Sequence, residues 1–375
     1  MNNRGSIRVA QIVGKWVGGG VESFIMNYYR YINHDKFQFD FICDEDSTCI
    51  PYDEIEKLGG RVILVPPYQK IFKYQKVLTG VLKNGNYQIV HSHINTLSVF
   101  SLMAAKRAGI KIRIAHSHST TNKKEFKKNI IKQILRPFSR VFATDYFACS
   151  EDAGRWLFGN KIYDEGKVFV LNNAIEIDNF KYDEFGRKEI RQELNISDNT
   201  FVIGHVGRFM PVKNQLFLLD LFAKIHQKNN NTVLILVGQG PMENEIREKI
   251  VELKIEPWVK LVGQRNDVNK LYQAMDVLVL PSLYEGLGMV LLEAQVSNLP
   301  CVCSNNIPHI VNVTNLIEFV NLDTPENQWC DIILSKIGIE RKTNVYMSGS
   351  DYNIKNEANK MALLYEKLLN KRKLG

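Results

Sequence analysis

Short apolar runs alternate along the whole chain with longer stretches whose apolar positions recur at helical spacing. A run apolar on both faces reads as a buried strand of a parallel sheet, and the longer stretches read as the helices that cover it. The pattern predicts strands at Ile7–Val13, Phe37–Cys43, Arg61–Val65, Ile89–His91, Lys111–Ala115, Tyr146–Cys149 and Val168–Leu171. It restarts at Phe201–Val206 and continues through Thr232–Val237, Val259–Val262, Asp276–Leu280, Pro300–Cys303 and Ile317–Val320. Between the two series lies Asn173–Asn199, polar and charged, with one short helical pattern at Gly186–Leu194; it reads as a linker. The last helical pattern, Ile354–Leu374, follows a polar stretch and could pack on either half. The fold class is therefore α/β, with two doubly wound domains in tandem. Such domains bind ligands at the carboxyl ends of their strands, so a cleft between them is the expected site.

At 375 residues the chain has room for two cores, and 45% hydrophobic with 23% charged residues is ordinary for a globular protein. No apolar stretch approaches the ~18 residues a spanning helix needs, and Met1–Ala10 runs straight into a strand without a signal-peptide core. The six cysteines (43, 49, 149, 301, 303, 330) form no CxxC pair or zinc spacing and read as reduced thiols of a cytoplasmic protein.

The net charge of +8 becomes informative once located. Residues 1–180 hold 25 Lys and Arg against 17 Asp and Glu, whereas residues 181–375 hold 23 of each. Much of the excess sits in Lys123–Arg140. There Lys123, Lys124, Lys127, Lys128, Lys132 and Arg136 alternate with Phe126, Ile130, Ile131, Ile134 and Leu135 at helical spacing. That is the composition of an interfacial helix on anionic lipid, or of a core helix with a solvated basic face. No nucleic-acid-binding motif accompanies the charge.

Several polar groups stand directly after strands. Gly18-Gly19-Gly20-Val21-Glu22 opens a helix, and a glycine loop at a helix start suits an anion; the spacing is not a dinucleotide fingerprint. His91-Ser92-His93 and His116-Ser117-His118 each place two imidazoles on one face of extended chain. They read as substrate-contacting cleft residues, or as polar loop residues bonding carbonyls; neither spacing supplies the third ligand a metal needs. Arg208 and Lys213, across a Gly/Pro turn, could clamp a diphosphate or be a surface arginine and a helix-start lysine. Gly263 and Arg265 end a strand where they could frame a base; Val237-Gly238-Gln239-Gly240-Pro241 reads as a plain strand-to-helix turn. In the stretch Asp276–Ala294, a buried strand ends at Pro281, a turn carries Glu285, Gly286 and Leu287, and a helix starts near Gly288. Glu293, in an otherwise apolar helix, needs donors: a ribose diol, or a nearby Lys or Arg.

Together and in order, the GGGVE loop, IVHSH, RIAHSHST, ACSEDAGRWLFG, VLNNAI, GHVGRF with Lys213-Asn214, VGQGP and PSLYEGLGMVLLEA resemble the GT-B glycosyltransferases of family 4 over residues 7–320. The closest likeness is to bacterial exopolysaccharide and capsule enzymes. The resemblance implies two Rossmann-like domains facing each other across a nucleotide-sugar cleft. Residues 1–180 would bind acceptor, 181–353 would bind the nucleotide sugar, and helix 354–375 would cross back to the first domain. It implies Arg208 and Lys213 on the diphosphate, Glu293 on the ribose, and Glu285 with the backbone of Gly286, Leu287 and Gly288 on the transferred sugar. His118 would lie beside the reacting sugar, Gly19 and Gly20 against the phosphates, and His91, His93 and His116 on the acceptor side.

The family retains anomeric configuration and needs no bound metal, and the only acidic cluster, Asp44-Glu45-Asp46, reads as a solvated loop. No cofactor is implied beyond the donor substrate. The expected activity is hexosyl or N-acetylhexosaminyl transfer from a UDP-sugar to a lipid-linked saccharide, at the inner face of the cytoplasmic membrane. Rival readings are a sugar-nucleotide epimerase of the same fold and a non-catalytic assembly partner. Gly288, Asn298 and His309 depart from the family's usual proline, glycine and acid; they bear on donor identity, not on activity.

Overall fold

The computed structural model describes residues 6–118, 135–341 and 351–373. Contacts divide the chain into two compact units, Met1–Ala174 with Asp351–Gly375, and Ile175–Ser350. Every strand read from the apolar runs is present, with ends moved by a residue or two.

The first unit holds a seven-stranded parallel sheet. Its strands are β1 (Ile7–Gly14), β2 (Phe37–Asp44), β3 (Arg61–Val65), β4 (Ile89–Ser92), β5 (Ile112–Ser117), β6 (Asp145–Ala148) and β7 (Val168–Val170), in the order β3-β2-β1-β4-β5-β6-β7. Alternate residues of each strand enter opposite cores. Val9, Phe39, Phe41, Ile89 and Ile114 pack on one face with the helix Gly20–Tyr31. Ala10, Ile12, Ile42, Val90 and Ala115 pack on the other with Leu78, Leu82, Leu102 and Leu157. Burial on both faces is why these strands read as unbroken apolar runs.

The C-terminal helix Ile354–Lys373 belongs to this unit. Its buried residues Ile354, Ala358, Met361, Ala362, Tyr365, Leu368 and Leu369 form a single helical stripe in the first core. At about 1.5–3 kcal/mol per large apolar side chain, the stripe contributes on the order of 10 kcal/mol before chain entropy. The helix is thus part of the unit's core and not an appendage. Glu357 fastens its start, accepting from the Asn172 N–H at 2.7 Å and the Tyr28 hydroxyl at 3.2 Å.

The second unit holds a six-stranded parallel sheet of β8 (Phe201–Val206), β9 (Thr232–Val237), β10 (Val259–Gly263), β11 (Val277–Leu280), β12 (Cys301–Ser304) and β13 (Ile317–Val320), ordered β10-β9-β8-β11-β12-β13. Strand order reverses between β1 and β4 in one sheet and between β8 and β11 in the other. Ligands of open α/β sheets bind at the carboxyl ends beside such reversals.

The expected linker needs correction; the expected boundary at residue 180 lies a few residues beyond the division by contacts. The division falls at Ala174, and the polar stretch beyond it is the first layer of the second unit. Asp183 caps the helix Glu184–Glu193, accepting from the N–H groups of Phe185 and Gly186. Arg187 and Arg191 on that helix grip the two oxygens of Asp276 at 2.6 and 2.8 Å, and Arg191 is completely buried. The stretch looked like a linker because it docks through guanidinium groups instead of an apolar face.

Candidate active site

In the second unit, β8 ends at Val206 and delivers Gly207 and Arg208 to the reversal point. Arg208 is exposed, and among the described residues it has no ion-pair partner. A 3-10 turn at Pro211–Lys213 follows, and Asn214 takes a left-handed φ of 59° to turn the chain into the helix Gln215–Lys228. Asn214 donates to the Pro281 carbonyl at 3.1 Å, and the Leu283 N–H donates to the Val212 carbonyl at 2.8 Å. These two bonds join the loop after β8 to the loop after β11. The result is an ion pair, Lys213 Nζ to Glu285 Oε1 at 2.6 Å, with both side chains largely covered. Ser282 Oγ donates to the same oxygen at 2.8 Å, so Glu285 is held on one side.

Beneath this pair His205 is buried, its Nδ1 on the Val279 carbonyl at 2.9 Å and its Nε2 facing the Gln215 amide. Burial pushes its pKa down to about 4. A neutral ring under Lys213 adds no second positive charge.

Gly288 has a φ of 85° and starts the helix Met289–Val296. Glycine meets that turn without strain, whereas proline, fixed near −65°, could not adopt it. Glu293 Oε2 accepts from the Tyr272 hydroxyl at 2.7 Å, and burial raises its carboxyl pKa despite that bond. No Lys or Arg pairs with Glu293 among the described residues, so the alternative of a structural ion pair fails, and lone pairs remain for further donors.

Arg265 is placed differently from its expected role. Its guanidinium is engaged by Glu193 and by Asp267, the latter at 2.7 and 2.8 Å. Those hydrogen bonds raise its pKa further. It ties the helix Glu184–Glu193 to the loop after β10, beside Gly263 with its φ of 69°. The VGQGP turn is held by close packing: a Cβ on Gly238 would lie 2.2 Å from the Gly207 carbonyl oxygen, and one on Gly240 2.3 Å from that of Phe209.

In the first unit, Gly19 precedes the helix Gly20–Tyr31 with no side-chain cap. The Glu22 carboxylate accepts from the Val17 N–H at 2.9 Å, folding the glycine loop back on itself. A cavity of about 410 Å³ opens at the carboxyl ends of β1, β2 and β4, lined by Lys15, Asp44, Asp46, Tyr68, His93 and Asn95 among others. Asp44 is buried here and is not on a solvated loop; burial, then Asp46, push its pKa up to about 6. A larger cavity of about 630 Å³ lies at the opposite end of the sheet, beside Arg61 and Tyr87, away from the chemistry.

The two histidine pairs meet, because β4 and β5 are neighbours in register. His91 Nε2 lies 2.9 Å from His116 Nδ1, and His93 Nδ1 lies 2.8 Å from His118 Nε2. The third ligand that neither spacing offered is thus supplied by folding: nitrogens of His91, His93 and His116 lie within 4.8 Å of one another. Expectation is corrected a second time. His91 and His116 are completely buried, His93 shows only an edge to the cavity, and His118 alone is partly exposed. The cause is coverage by Phe24, whose ring packs edge-on to His116 and His118 at 5.1 and 4.8 Å. Asn95 Oδ1 accepts from the His118 N–H at 2.7 Å. Sequence reading missed the groups that hold the site: Tyr272, Ser282, Asn95, Gln11 and Tyr365. Only Gln11, a lone amide in the run Ile7–Gly14, carries a visible signal.

The expected lipid-docking residues Lys123, Lys124, Lys127, Lys128 and Lys132 lie outside the described residues. Arg136 is described, with its guanidinium over the Trp156 ring at 5.9 Å. No helix among the described residues is long and apolar enough to cross a membrane.

Comparison with known proteins follows the same division. Residues 186–315 match the family of "Glycosyl transferases group 1", and residues 18–179 match "Glycosyltransferase Family 4". EpsF of Bacillus subtilis (strain 168), assigned as a glycosyltransferase, is 32% identical over 95% of this chain and 98% of its own length. The UDP-Gal:alpha-D-GlcNAc-diphosphoundecaprenol alpha-1,3-galactosyltransferase of Escherichia coli is 25% identical over 80% of this chain and 79% of its own. The crystal structure of Anabaena Alr3699/HepE with UDP-glucose, 18% identical, superposes over 96% of this chain and 100% of that one with a TM-score of 0.78. That is a likeness of fold. With both parallel-sheet units matched and a relative similar from end to end, the chain belongs to the GT-B glycosyltransferases of the family 4 type.

Proposed function

We propose that this glycosyltransferase moves a hexosyl or N-acetylhexosaminyl group from a UDP-sugar to a lipid-linked saccharide in surface polysaccharide assembly, with retention of configuration and without a metal. The observation that carries the reading is the set of charges at the second sheet's reversal: Arg208, with no ion-pair partner among the described residues, the Lys213–Glu285 pair and Glu293 on Tyr272. Arg208 offers a planar fork to a diphosphate and Lys213 a point charge, which together offset the charge of the leaving group. Glu293 takes the ribose hydroxyls. Glu285, held on one side by Ser282, takes a hydroxyl of the transferred sugar, with the backbone at the start of helix Met289–Val296 beside it.

Among the described residues no carboxylate nucleophile with a partner acid stands out beside the charges of the second unit, which favours a front-face departure. The bond from the anomeric carbon to the β-phosphate oxygen breaks, the acceptor oxygen bonds on the same face, and the departing phosphate takes the acceptor's proton. UDP-Gal and diphosphoundecaprenol in the name of the E. coli relative, and UDP-glucose in the HepE structure, support the donor and acceptor classes. The basic segment 123–136 would dock the enzyme at an anionic leaflet, each basic residue near the surface contributing about 1 kcal/mol.

The test is incubation with UDP-glucose, UDP-galactose and their N-acetyl forms plus undecaprenyl-diphosphate-linked N-acetylglucosamine, with and without EDTA. An α-linked product from an α-donor, formed equally with EDTA, is the expected result. A β-linked product overturns retention, loss of activity in EDTA overturns metal independence, and sugar epimerised without transfer moves the reading to an epimerase. Replacing Lys127, Lys128 and Lys132 by Glu is expected to abolish sedimentation with phosphatidylglycerol vesicles; unchanged sedimentation removes the docking.

A further inference from the structure

His91, His93, His116 and His118, four of the first unit's five histidines, belong to one hydrogen-bond network, and its two ends meet at a single amide. Gln11, on β1 and 1% exposed, presents Oε1 to His93 Nε2 at 2.8 Å and Nε2 to the Tyr365 hydroxyl at 3.3 Å. Tyr365, from the C-terminal helix, lies 2.6 Å from His91 Nδ1. Two branches follow: Gln11–His93–His118, and Gln11–Tyr365–His91–His116.

Burial pushes the pKa values of His91, His93 and His116 well below the ordinary histidine value, and that of His118 to about 3. At neutral pH each ring is therefore uncharged and carries one N–H. A neutral imidazole that donates at one nitrogen must accept at the other, so proton positions propagate along each branch.

The carbonyl oxygen of Gln11 can only accept, so His93 donates from Nε2 and its Nδ1 accepts. His118 must then donate from Nε2. On the other branch the Gln11 amide donates to the Tyr365 oxygen, so the tyrosine O–H points to His91 Nδ1. His91 donates from Nε2 to His116 Nδ1, which leaves His116 its N–H on Nε2. That nitrogen has no partner among the described residues, so the branch ends on an unpaired N–H whose cost the rest of the network offsets.

We infer that Gln11 and Tyr365 are positioning residues that hold all four imidazoles as Nε2–H tautomers, so that His118 offers the bare lone pair of Nδ1 to a hydroxyl of the sugar. The last clause rests on the glycosyltransferase reading; the tautomers do not. With the amide reversed, every proton would shift and His118 would present a donor. One side chain thus decides whether the ring beside the sugar accepts or donates. The three close nitrogens also outline a metal site. An ion there would take one nitrogen from each ring, so it would displace a contact of His91, to His116 or to Tyr365, and one of His93, to His118 or to Gln11.

The test is a two-bond ¹H–¹⁵N correlation spectrum of the ligand-free full chain labelled at histidine, with assignments from single His→Gln variants. Of the chain's eight histidines, the four of the network are expected as neutral Nε2–H rings. An Nδ1–H tautomer at His93 or His118, a charged ring among these four, or a stoichiometric co-purified transition metal overturns the inference. Tyr365→Phe removes only a hydroxyl. It is expected to release His91 and His116 into tautomer exchange while His93 and His118 keep theirs; an unchanged spectrum overturns the second branch. Gln11→Leu is expected to release all four and to lower kcat about tenfold with KM held. Unaltered tautomers in that variant overturn the role of Gln11, and Tyr365→Phe with the parent spectrum decides if it does not fold.

Saturating UDP-glucose is expected to shift His118 Nδ1 and leave its Nε2–H in place. If transfer is demonstrated and Nδ1 does not move, the sugar contact is wrong. If the tautomers are found but no UDP-sugar binds, the functional reading fails and the network stands.

Discussion

Glu293 gives the most direct trial of the donor site, because the structure separates its fold role from its binding role. Its Oε2 is taken by the Tyr272 hydroxyl at 2.7 Å, and Tyr272 is itself completely buried. Replacement by alanine would strand that hydroxyl, at a cost of about 1–3 kcal/mol of stability, and confuse the result. Glu293→Gln keeps an acceptor for Tyr272 and nearly the same volume. It also removes a carboxyl whose charged form is disfavoured by burial. Stability is therefore expected to hold or rise slightly.

Binding is expected to behave in the opposite way. Hydrogen bonds to a charged group contribute about 1.5–3 kcal/mol against roughly 1 for neutral partners. Loss of the charge should weaken UDP by about 1–2 kcal/mol, or roughly 5- to 30-fold. The decisive assay is a cycle of calorimetric titrations, parent and variant, each with UDP and with 2′-deoxy-UDP. If Glu293 takes the ribose hydroxyls, the two losses are not additive, and the coupling reaches about 1 kcal/mol. Equal losses for both ligands, with coupling near zero, would refute the ribose assignment even if the variant binds poorly.

Three further outcomes follow from the same geometry. Arg208→Ala removes an exposed side chain with no ion-pair partner among the described residues, so its unfolding midpoint should stay put while UDP weakens roughly 10- to 100-fold. Uridine, lacking the phosphates, should bind as before; an equal loss for uridine would show that Arg208 does not act on the diphosphate. The raised pKa of Glu293 sets a pH dependence. The folded carboxyl holds its proton at a pH where the unfolded one has lost it, so this group's contribution to stability falls as pH rises through that window. Ribose hydroxyls favour the ionised form, so UDP affinity should rise across the same window, and Glu293→Gln should flatten that part of both profiles. Glu357→Ala should lower stability by about 1–3 kcal/mol, since it leaves the Asn172 N–H without its acceptor, whereas the Tyr28 hydroxyl keeps the Asn172 carbonyl at 2.7 Å. Chemical denaturation with an unchanged midpoint would contradict that; UDP affinity, a property of the other unit, should not move.

What could be read from the chain depended on whether the physics was local. Central strands buried on both faces announce themselves as apolar runs, and the partly exposed edge strands β3, β7 and β10 are still apolar enough that all thirteen strands of the described residues were legible. The stripe Ile354–Leu369 was legible as a helix, but where it docks came only from the family resemblance, because periodicity identifies an apolar face and not its partner. The stretch after Ala174 was misread because Arg187 and Arg191 dock on one carboxylate, a device with the composition of a solvated surface. Asp44 was misread for the reverse reason. Three acids in a row look exposed, yet the first of them ends a central strand and is buried with it. Arg265 sits at a strand end like the other candidates, and only the positions of Glu193 and Asp267 show its charge to be spent on the fold.

The histidines show where that limit lies. Each pair, two residues apart on one strand, correctly implied a shared face, but the chemistry lies between the pairs. His91 and His116 are brought together by a register in which Ile114 stands opposite His91, and that register is fixed by a crossover through the helix Ser98–Arg107. Closing the network then takes an amide from β1 and a hydroxyl from the far end of the chain. Each is unremarkable in its own stretch: one glutamine in an apolar strand, one tyrosine on an apolar helix face. Their meaning is relational. A buried Gln11 with both ends satisfied stabilises the fold by little more than a well-packed apolar residue would. What it adds is direction, because its two ends differ, and a chain of neutral imidazoles has no preferred sense until something asymmetric is attached to it. The C-terminal helix supplies the hydroxyl that carries that sense to the second branch.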